Sequence, residues 1–248
     1  MDTTIAPILH PAVRPMPDVE SATDAYAQRF AGRTGAYLLE VQRKATLRLL
    51  EPWRGGTVLD VGGGHAQLAQ PLVQEGYRVT ILSSSAEACH RPRQILGDRV
   101  ELIVGDLLDP PVHDASYDVA ISFRILPHIG DWERLIAGLC RVARHAVIVD
   151  FPIPGGFNAL TPLFSLKQRV EGNTRRYDTF APHDVSRAFI RAGFRSDATY
   201  AQFFLPMVLH RVLRMPRLSC CAEAYCRALG LTRRWGSPII MRAVAQRD

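Results

Sequence analysis

A glycine-rich loop in the central part of the chain has residue types that could hold a charged ligand. The run VLDVGGGHAQLAQPL, residues 58–72, places Asp60, Gly62 and Gly64 where a buried strand ends and a helix begins. Glycines allow unusual backbone angles and let a ligand lie against the chain. Asp60 could bind an ammonium group, while the loop amides and the helix N-terminus suit a carboxylate. The pattern therefore favours a ligand with an amino-acid head, although a purely structural turn would also use glycines.

A dinucleotide is the alternative ligand for such a loop. Dinucleotide-binding loops have the pattern G-x-G-x-x-G, or a final alanine, and counting from Gly62 puts Gln67 at the third position. This departure disfavours a nicotinamide oxidoreductase.

Four features in order along the chain resemble the class I S-adenosylmethionine-dependent methyltransferases, especially the methyltransferase type 11 group. In that family the first strand ends in an acidic-x-G-x-G pattern, which Asp60 begins here, with Ala66 where a third glycine is usual. The second strand of relatives ends in an acidic residue that binds both ribose hydroxyls, and Ser83 stands at that position. The run VGDLLDPP places Asp106 where relatives contact the adenine amino group, although Gly-Asp is also common at surface turns.

The fourth feature is the run YDVAISFRILPHIGDW, residues 117–132, which resembles the family's fourth strand and the loop over the transferable methyl group. The resemblance implies S-adenosyl-L-methionine as cofactor and a seven-stranded sheet with an antiparallel last strand. It implies these cofactor-binding residues: Asp60, Gly62, Gly63, Gly64, Ser83, Ser84, Asp106, Leu107, Phe123 and Tyr26.

Two charged or titratable side chains in the fourth feature could act on the methyl acceptor. Methyl transfer from a sulfonium is an in-line displacement, so the enzyme chiefly aligns the acceptor and excludes water. His128 could serve as general base because its ordinary pKa is near ~6.5, or it could simply pack in its loop. Arg124 could bind an acidic acceptor or be a solvated charge.

Two segments are expected to recognise the acceptor. Residues 152–182 are longer than a plain crossover loop and combine cationic with aromatic side chains, of which Arg175, Arg176 and Tyr177 are the acceptor-binding candidates. Residues 201–236 include the apolar run FFLPMVLHRV, interpreted as a pocket lining in preference to a membrane-surface contact. A small aromatic or acidic acceptor is predicted, of a natural-product or quinone-like kind, with O- or N-methylation favoured.

The elements that position these residues alternate short β-branched runs with amphipathic stretches, which predicts a doubly wound, Rossmann-like α/β sheet. Strands are predicted at 57–61, 78–82, 100–104, 117–122, 145–151, 194–200 and 239–244, with helices at 67–75, 86–96, 131–143 and 183–192. Residues 21–50 are predicted as a helical lid with Ser21 as N-cap and a hinge near Gly32 and Gly35. Tyr26 is expected near the methionine end of the cofactor or in the core. Residues 1–20 are expected to be a flexible arm before a single domain, 21–248.

The composition excludes several classes of protein. The formal charge is +6, but the basic residues are dispersed and no nucleic-acid-binding motif is present, which disfavours a nucleic-acid partner. The fourth strand also lacks the motifs of adenine- and cytosine-methylating enzymes. Five cysteines without C-x-x-C spacing predict free thiols and no metal site, and without a signal or spanning segment a cytoplasmic monomer or homodimer is expected. A non-catalytic S-adenosylmethionine-binding or regulatory protein on the same fold stays open.

Overall fold

The computed structural model describes residues 16–154 and 177–246, and these form one seven-stranded sheet. The strands are β1 (Thr57–Val61), β2 (Arg78–Ser83), β3 (Glu101–Val104), β4 (Tyr117–Ser122), β5 (Ala143–Phe151), β6 (Phe194–Ala201) and β7 (Ile239–Ala245). Their order is β3-β2-β1-β4-β5-β7-β6. Neighbours among the first five strands are parallel, and β7 runs antiparallel to both β5 and β6. The predicted fold class, including the antiparallel last strand, is confirmed.

Helices cover both faces of this sheet in the described ranges. They are α1 (Pro17–Ser21), α2 (Asp24–Gln28), α3 (Gly32–Leu50), α4 (Ala69–Gln74), α5 (His90–Leu96), α6 (Trp132–Val142), α7 (Pro182–Arg191), α8 (Met207–Leu213), α9 (Pro216–Ala228) and α10 (Leu231–Trp235). Helix α4 begins two residues later than predicted and α5 four residues later.

Apolar side chains on the two faces of the sheet form two separate cores. Alternate residues of a strand point to opposite faces, so Leu59 packs in one core and Val58 in the other. The first core includes Ile136 of α6 and Phe189 of α7, while the second includes Leu50 of α3. Both faces are therefore covered, and the loops at the strand ends are the part of the sheet left for a ligand.

The N-terminal region corrects two boundaries of the sequence analysis. Residues 17–20, assigned to the arm, lie in α1, and Ser21 ends that helix instead of capping the next one. Thr23 is the N-cap, since its hydroxyl accepts from the Tyr26 amide at 3.2 Å. The hinge lies just before Gly32, and α3 continues through Gly35. The lid thus consists of two short helices followed by one long helix.

Part of the segment after β6 packs in the interior of the protein. Phe203 is fully buried, and so is His210, whose Nε2 lies 3.0 Å from Glu223 Oε1. The Glu223 carboxylate also accepts from the backbone amides of Phe204 and Leu205, each at 2.9 Å. This buried pair joins α8 to α9. No helix in the described part of the chain is long and apolar enough to cross a membrane.

Candidate active site

The glycine loop lies where the carboxyl ends of β1, β2 and β4 meet. Gly62 has a positive φ of 80°, and its amide donates to the Leu82 carbonyl at 2.8 Å, which ties the loop to the end of β2. A side chain at Gly62 would stand 2.6 Å from Ile125. Glycine is therefore required here by both backbone conformation and space.

Asp60 is the acidic residue of this loop, and it is 4% exposed. Its Oδ2 lies close beneath Gly63, because a Cβ added there would be 2.5 Å away from it. Burial alone raises the pKa of Asp60 to about 7, with no hydrogen bond from the described residues to offset it. A carboxylate in this state is a strong acceptor for a cationic group brought by a ligand.

A small cavity adjoins Asp60 and is closed by the N-terminal helices. The centre of a water molecule could occupy about 20 Å³ of this cavity, which is room for about one water molecule. The lining residues are Ser21, Tyr26, Asp60, Gly62, Gly63, His65, Ala66, Gln67, Leu68, Phe123 and Arg124. A ligand of nucleoside size therefore requires some of these lining side chains to rearrange.

His65 lines this cavity and was not singled out by the sequence analysis, although it follows the glycines directly. Its ring packs edge-on against Tyr26 and Phe30, with centroids 5.5 and 5.8 Å away. Neither ring nitrogen has a hydrogen-bond partner in the described structure. Burial, followed by the charges of Arg124 and Arg91, lowers the pKa of His65 to about 4. His65 is therefore neutral at pH 7 and offers an acceptor to a ligand in the cavity.

Arg124 is held inside the site by a network of buried groups and is not a solvated charge. Its backbone amide donates to Asp150 Oδ1 at 2.5 Å, and its Nη2 donates to Gln42 Oε1 at 3.0 Å. Gln42 Nε2 in turn donates to Asp150 Oδ2 at 3.3 Å. Burial raises the pKa of Asp150 to about 6, against the opposing effect of Arg124. The φ of Arg124 is 61°, a conformation that non-glycine residues rarely adopt and that fixed surroundings must maintain.

A second guanidinium, that of Arg211, approaches Arg124 from α8. Both guanidinium groups contact the Phe30 ring, with the guanidinium carbons of Arg124 and Arg211 at 4.1 and 5.6 Å from its centroid. Arg124 Nη1 and Arg211 Nε are buried and lack partners among the described residues. Burial, then Arg124 and Arg29, lowers the pKa of Arg211. Two adjacent cations with unsatisfied donors form an environment that an anion would stabilise.

At the end of β2, the predicted ribose contact is already engaged by the lid. The Ser84 amide and hydroxyl donate to the Asp18 carboxylate at 2.7 and 2.6 Å. Ser83 is fully buried, and its hydroxyl has no hydrogen-bond partner in the described chain. Asp18, which the sequence analysis left in the arm, is itself fully buried.

Asp106 and Leu107 are placed differently from the cofactor-lining positions that the resemblance implies. Asp106 Oδ1 accepts from the Leu108 amide at 2.9 Å in a local turn, and its Oδ2 lies 3.6 Å from Arg134. The side chain is half exposed and is not among the cavity residues. Leu107 is fully buried in the core beneath the glycine loop. In this arrangement neither side chain lines the cavity.

His128, in the loop after β4, and Tyr177 lie together. His128 ends a 3-10 turn, Leu126–His128, and its ring centroid is 5.6 Å from that of Tyr177. The Tyr177 ring is half exposed, but desolvation of its hydroxyl and the nearby Asp150 raise its pKa to about 12. Arg175 and Arg176 lie outside the described residues.

Several residues of this site could not be found by motif. Asp18, Phe30, Gln42, Asp150 and Arg211 come from elements far apart in the chain. The available signals were weak: an acidic residue in a proline-rich stretch, and an arginine in an otherwise apolar run.

Comparison with known proteins agrees with this geometry. Residues 59–149, which contain the glycine loop, Arg124 and His128, match the family model for a methyltransferase domain. The match extends from β1 to β5 and leaves the N-terminal helices and the last two strands outside it. An uncharacterized methyltransferase of Geobacillus sp. (strain WCH70) is 27% identical over 116 residues, 46% of this chain. The aligned part is 54% of that relative, so the chain spans about half the length of the curated relative it matches.

Solved methyltransferase structures share the fold over nearly the whole chain. Magnesium protoporphyrin IX methyltransferase of Synechocystis PCC 6803, with bound S-adenosylhomocysteine, is 16% identical with a TM-score of 0.60, covering 90% of this chain and 94% of that one. A possible histamine N-methyltransferase of Thermotoga maritima is 15% identical with a TM-score of 0.64, covering 92% and 98%. At these identities the likeness establishes the class I methyltransferase fold, in agreement with the resemblance found in the sequence.

Proposed function

We propose that this chain is an S-adenosylmethionine-dependent methyltransferase that acts on a small anionic acceptor, with O- or N-methylation favoured. The observation that carries the proposal is that the Asp60 carboxylate is buried beside a glycine loop. This burial raises its pKa to about 7. The methyltransferase-domain match around it supports the same cofactor.

The residues around the glycine loop fit this cofactor. Asp60 would pair with its ammonium group, and the Gly62–Gly64 loop lets the methionine portion lie against the backbone. When bound, the cofactor supplies an electrophilic methyl group on a sulfonium. Tyr26 and His65 would cover the loop and exclude water, which is the main task of the protein in an in-line transfer.

Arg124 and Arg211 would bind the acidic group of the acceptor. Their unpartnered nitrogens are buried around Phe30, and a carboxylate, phosphate or phenolate would satisfy them with charge-assisted hydrogen bonds. The Phe30 ring beside these cations offers an apolar surface for an aromatic acceptor. Arg175, Arg176 and Tyr177 stay proposed acceptor contacts.

His128 is proposed as the general base for an acceptor that must lose a proton. It is half-buried in the loop that follows β4, and imidazole is the side chain most often used for proton transfer. His65 is a weaker base, since burial lowers its pKa to about 4.

Calorimetric titration with S-adenosylmethionine, S-adenosylhomocysteine and NADH tests the cofactor. We expect the first two to bind and NADH not to bind. Ionised Asp60 is required for pairing with the ammonium, so affinity should rise as pH increases through about 7 and lose this dependence in Asp60→Asn. Absence of binding by both sulfur nucleosides would contradict the proposal.

An acceptor screen then tests catalysis, with formation of S-adenosylhomocysteine as the readout. Aromatic and aliphatic acids should be methylated faster than their neutral amides. Cofactor binding without turnover of any acceptor would favour the non-catalytic binding protein.

A further inference from the structure

The end of β2 lacks an acidic side chain of its own but receives one from the N-terminal helix. Ser83 and Ser84 provide only hydroxyls there. The carboxylate present is that of Asp18, 66 residues away in sequence from Ser84. Two hydrogen bonds from Ser84, at 2.7 and 2.6 Å, fix its position.

We propose that Asp18 binds the ribose hydroxyls of the cofactor, in place of the carboxylate absent at Ser83. This inference rests on the proposed function and adds a residue that neither the glycine loop nor the methyltransferase-domain match contains, since that match begins at residue 59. It makes the lid part of the cofactor site.

The position of Asp18 relative to both ligand-binding loops supports this assignment. Its backbone oxygen lies against the glycine loop, where a Cβ at Gly64 would be 2.5 Å away, while its side chain reaches Ser84. Asp18 thus bridges the loops after β1 and β2, between which a nucleoside linked to an amino-acid head must lie.

The hydrogen-bonding capacity of Asp18 is also incompletely used. An ionised carboxylate has about four acceptor positions, and the two bonds from Ser84 use two of them. A buried carboxylate with only neutral donors is stabilised by further donors, and a ribose with two hydroxyls provides them. The unpartnered hydroxyl of Ser83 lies at the same strand end and offers another polar contact.

The competing role for Asp18 is that of a plug, which occupies the ribose position and must leave before the cofactor binds. The two roles predict opposite effects on affinity. If Asp18 binds the ribose, Asp18→Ala should weaken cofactor binding. If Asp18 is a plug, the same substitution should strengthen it.

Titration calorimetry with S-adenosylhomocysteine on the full chain distinguishes these roles. We expect Asp18→Ala and Asp18→Asn to bind roughly 10- to 100-fold more weakly than the unaltered protein, the effect of losing hydrogen bonds to a charged group. Glu20→Ala is the matched control, because Glu20 lies on the same helix but pairs with Arg29 at the surface. Thermal unfolding of each variant verifies that it folds.

Two further measurements tie any loss to the ribose. With 2′-deoxy-S-adenosylhomocysteine, the unaltered protein should lose affinity, and Asp18→Ala should lose little more, because both changes remove the same contact. Ser83→Asp added to Asp18→Ala should recover binding at least several-fold by restoring a carboxylate at the strand end.

The outcomes separate this inference from the proposed function. If the unaltered protein binds no S-adenosylhomocysteine, the proposed function fails. If the unaltered protein binds S-adenosylhomocysteine and Asp18→Ala binds it equally or more tightly, Asp18 is not a ribose ligand. The same conclusion follows if the affinity lost through Asp18→Ala and the affinity lost with the 2′-deoxy ligand add fully.

A second, independent observation concerns the outer surface of α8 to α10. Its large apolar side chains are exposed, with Tyr225 at 68% and Val212 at 72%. Four exposed apolar side chains on or next to α9 are spaced so that they lie on one side of the helix: Met215, Leu218, Tyr225 and Leu229. Exposed arginines accompany them: Arg214, Arg217, Arg233 and Arg234. The acidic residue within 207–236 is Glu223, which is buried, so this surface is uniformly positive.

The geometry points to an anionic lipid surface as the partner of this face. Apolar side chains enter the headgroup region while arginines contact lipid phosphates, the combination that holds amphipathic helices at a membrane interface. Trp235, with the Arg234 guanidinium 5.2 Å from its ring centroid, suits the same boundary.

Co-sedimentation with vesicles tests this partner. We expect binding to phosphatidylcholine vesicles containing phosphatidylglycerol, little binding to phosphatidylcholine alone, and loss in high salt. The double variant Leu218→Ser, Tyr225→Ser should bind vesicles about tenfold more weakly or worse. The control is the double variant Val104→Ser, Ile190→Ser, which alters exposed apolar residues elsewhere and should bind like the unaltered protein. The lipid assignment would be overturned if the protein did not bind vesicles or if both double variants bound them equally. It would also be overturned if the protein were a dimer that dissociates in the Leu218→Ser, Tyr225→Ser variant.

Discussion

At the residue scale, the buried carboxylate of Asp60 has two consequences that oppose each other. It provides an acceptor for a cationic ligand, and its ionised form is poorly solvated when no ligand is present. The protein without cofactor is therefore expected to be less stable because of the same residue that binds the cofactor.

Asp60→Asn tests this relation between stability and pH. The folded pKa of about 7 exceeds an unfolded value of about 3.9, so the native state binds more protons between these pH values. Stability of the unaltered protein should fall as pH rises from about 4 to 7, and the variant should lack this decline. Above pH 7 the variant should be more stable by at most about 4 kcal/mol, from three pKa units at about 1.36 kcal/mol each. Urea unfolding at pH 5 and pH 8 measures the difference, and equal pH profiles would show that Asp60 is not desolvated.

Arg211→Gln tests the cation pair around Phe30. The substitution removes one buried charge next to Arg124, so an acidic acceptor should show a KM at least tenfold higher, with kcat for a neutral analogue little changed. Arg78→Gln is the matched control, because Arg78 is exposed at the start of β2, the opposite end of that strand from the site. Unchanged KM values for acidic acceptors in Arg211→Gln would remove Arg211 from the acceptor site.

At the element scale, the contact between α1 and the glycine loop determines whether the lid closes. The loop has no side chain at Gly64, and α1 uses that space: the Ser21 hydroxyl would be 3.0 Å from an added Cβ. A five-residue helix has little stability of its own. Its position depends on this contact and on the hydrogen bonds from Ser84.

Gly64→Ala should therefore displace α1. The added Cβ would stand 2.5 Å from the Asp18 backbone oxygen, so the helix must move. We expect faster amide hydrogen exchange over residues 17–28 and weaker S-adenosylhomocysteine binding. Gly236→Ala introduces a comparable clash, 2.4 Å from the Thr232 oxygen, away from this site. If both variants change exchange in residues 17–28 equally, the effect of Gly64→Ala is general destabilisation.

At the scale of the whole molecule, the cofactor site joins the N-terminal helices to the strand ends of the sheet. Ligand binding to the native state alone stabilises it by mass action. Because the site draws on α1, the glycine loop and the end of β2, ligand binding should stabilise all of these together.

Thermal unfolding with ligand tests this linkage. S-adenosylhomocysteine at about 100 times its Kd should add about 2.7 kcal/mol to the free energy of unfolding, and Asp60→Asn at the same concentration should show little of this gain. NADH serves as the negative ligand. A melting temperature that rises equally with NADH would indicate nonspecific stabilisation.

The sequence by itself determined the fold and the location of the cofactor loop. Strand periodicity and the glycines at 62–64 are local patterns, and local patterns specify which segments become strands and where a turn must follow. The seven strands, the antiparallel last strand and the methyltransferase resemblance agree with what the structure and comparisons show.

Only the tertiary structure decided which side chains share the site. Asp18 meets Ser84 across 66 residues, and Gln42 meets Asp150 across 108. Such contacts leave no periodic trace in the chain, because they depend on how helices pack after the sheet has formed. The packing also placed Asp106 in a surface turn, where its carboxylate bonds locally. Burial, which sets the pKa of Asp60, likewise exists only once distant segments cover it.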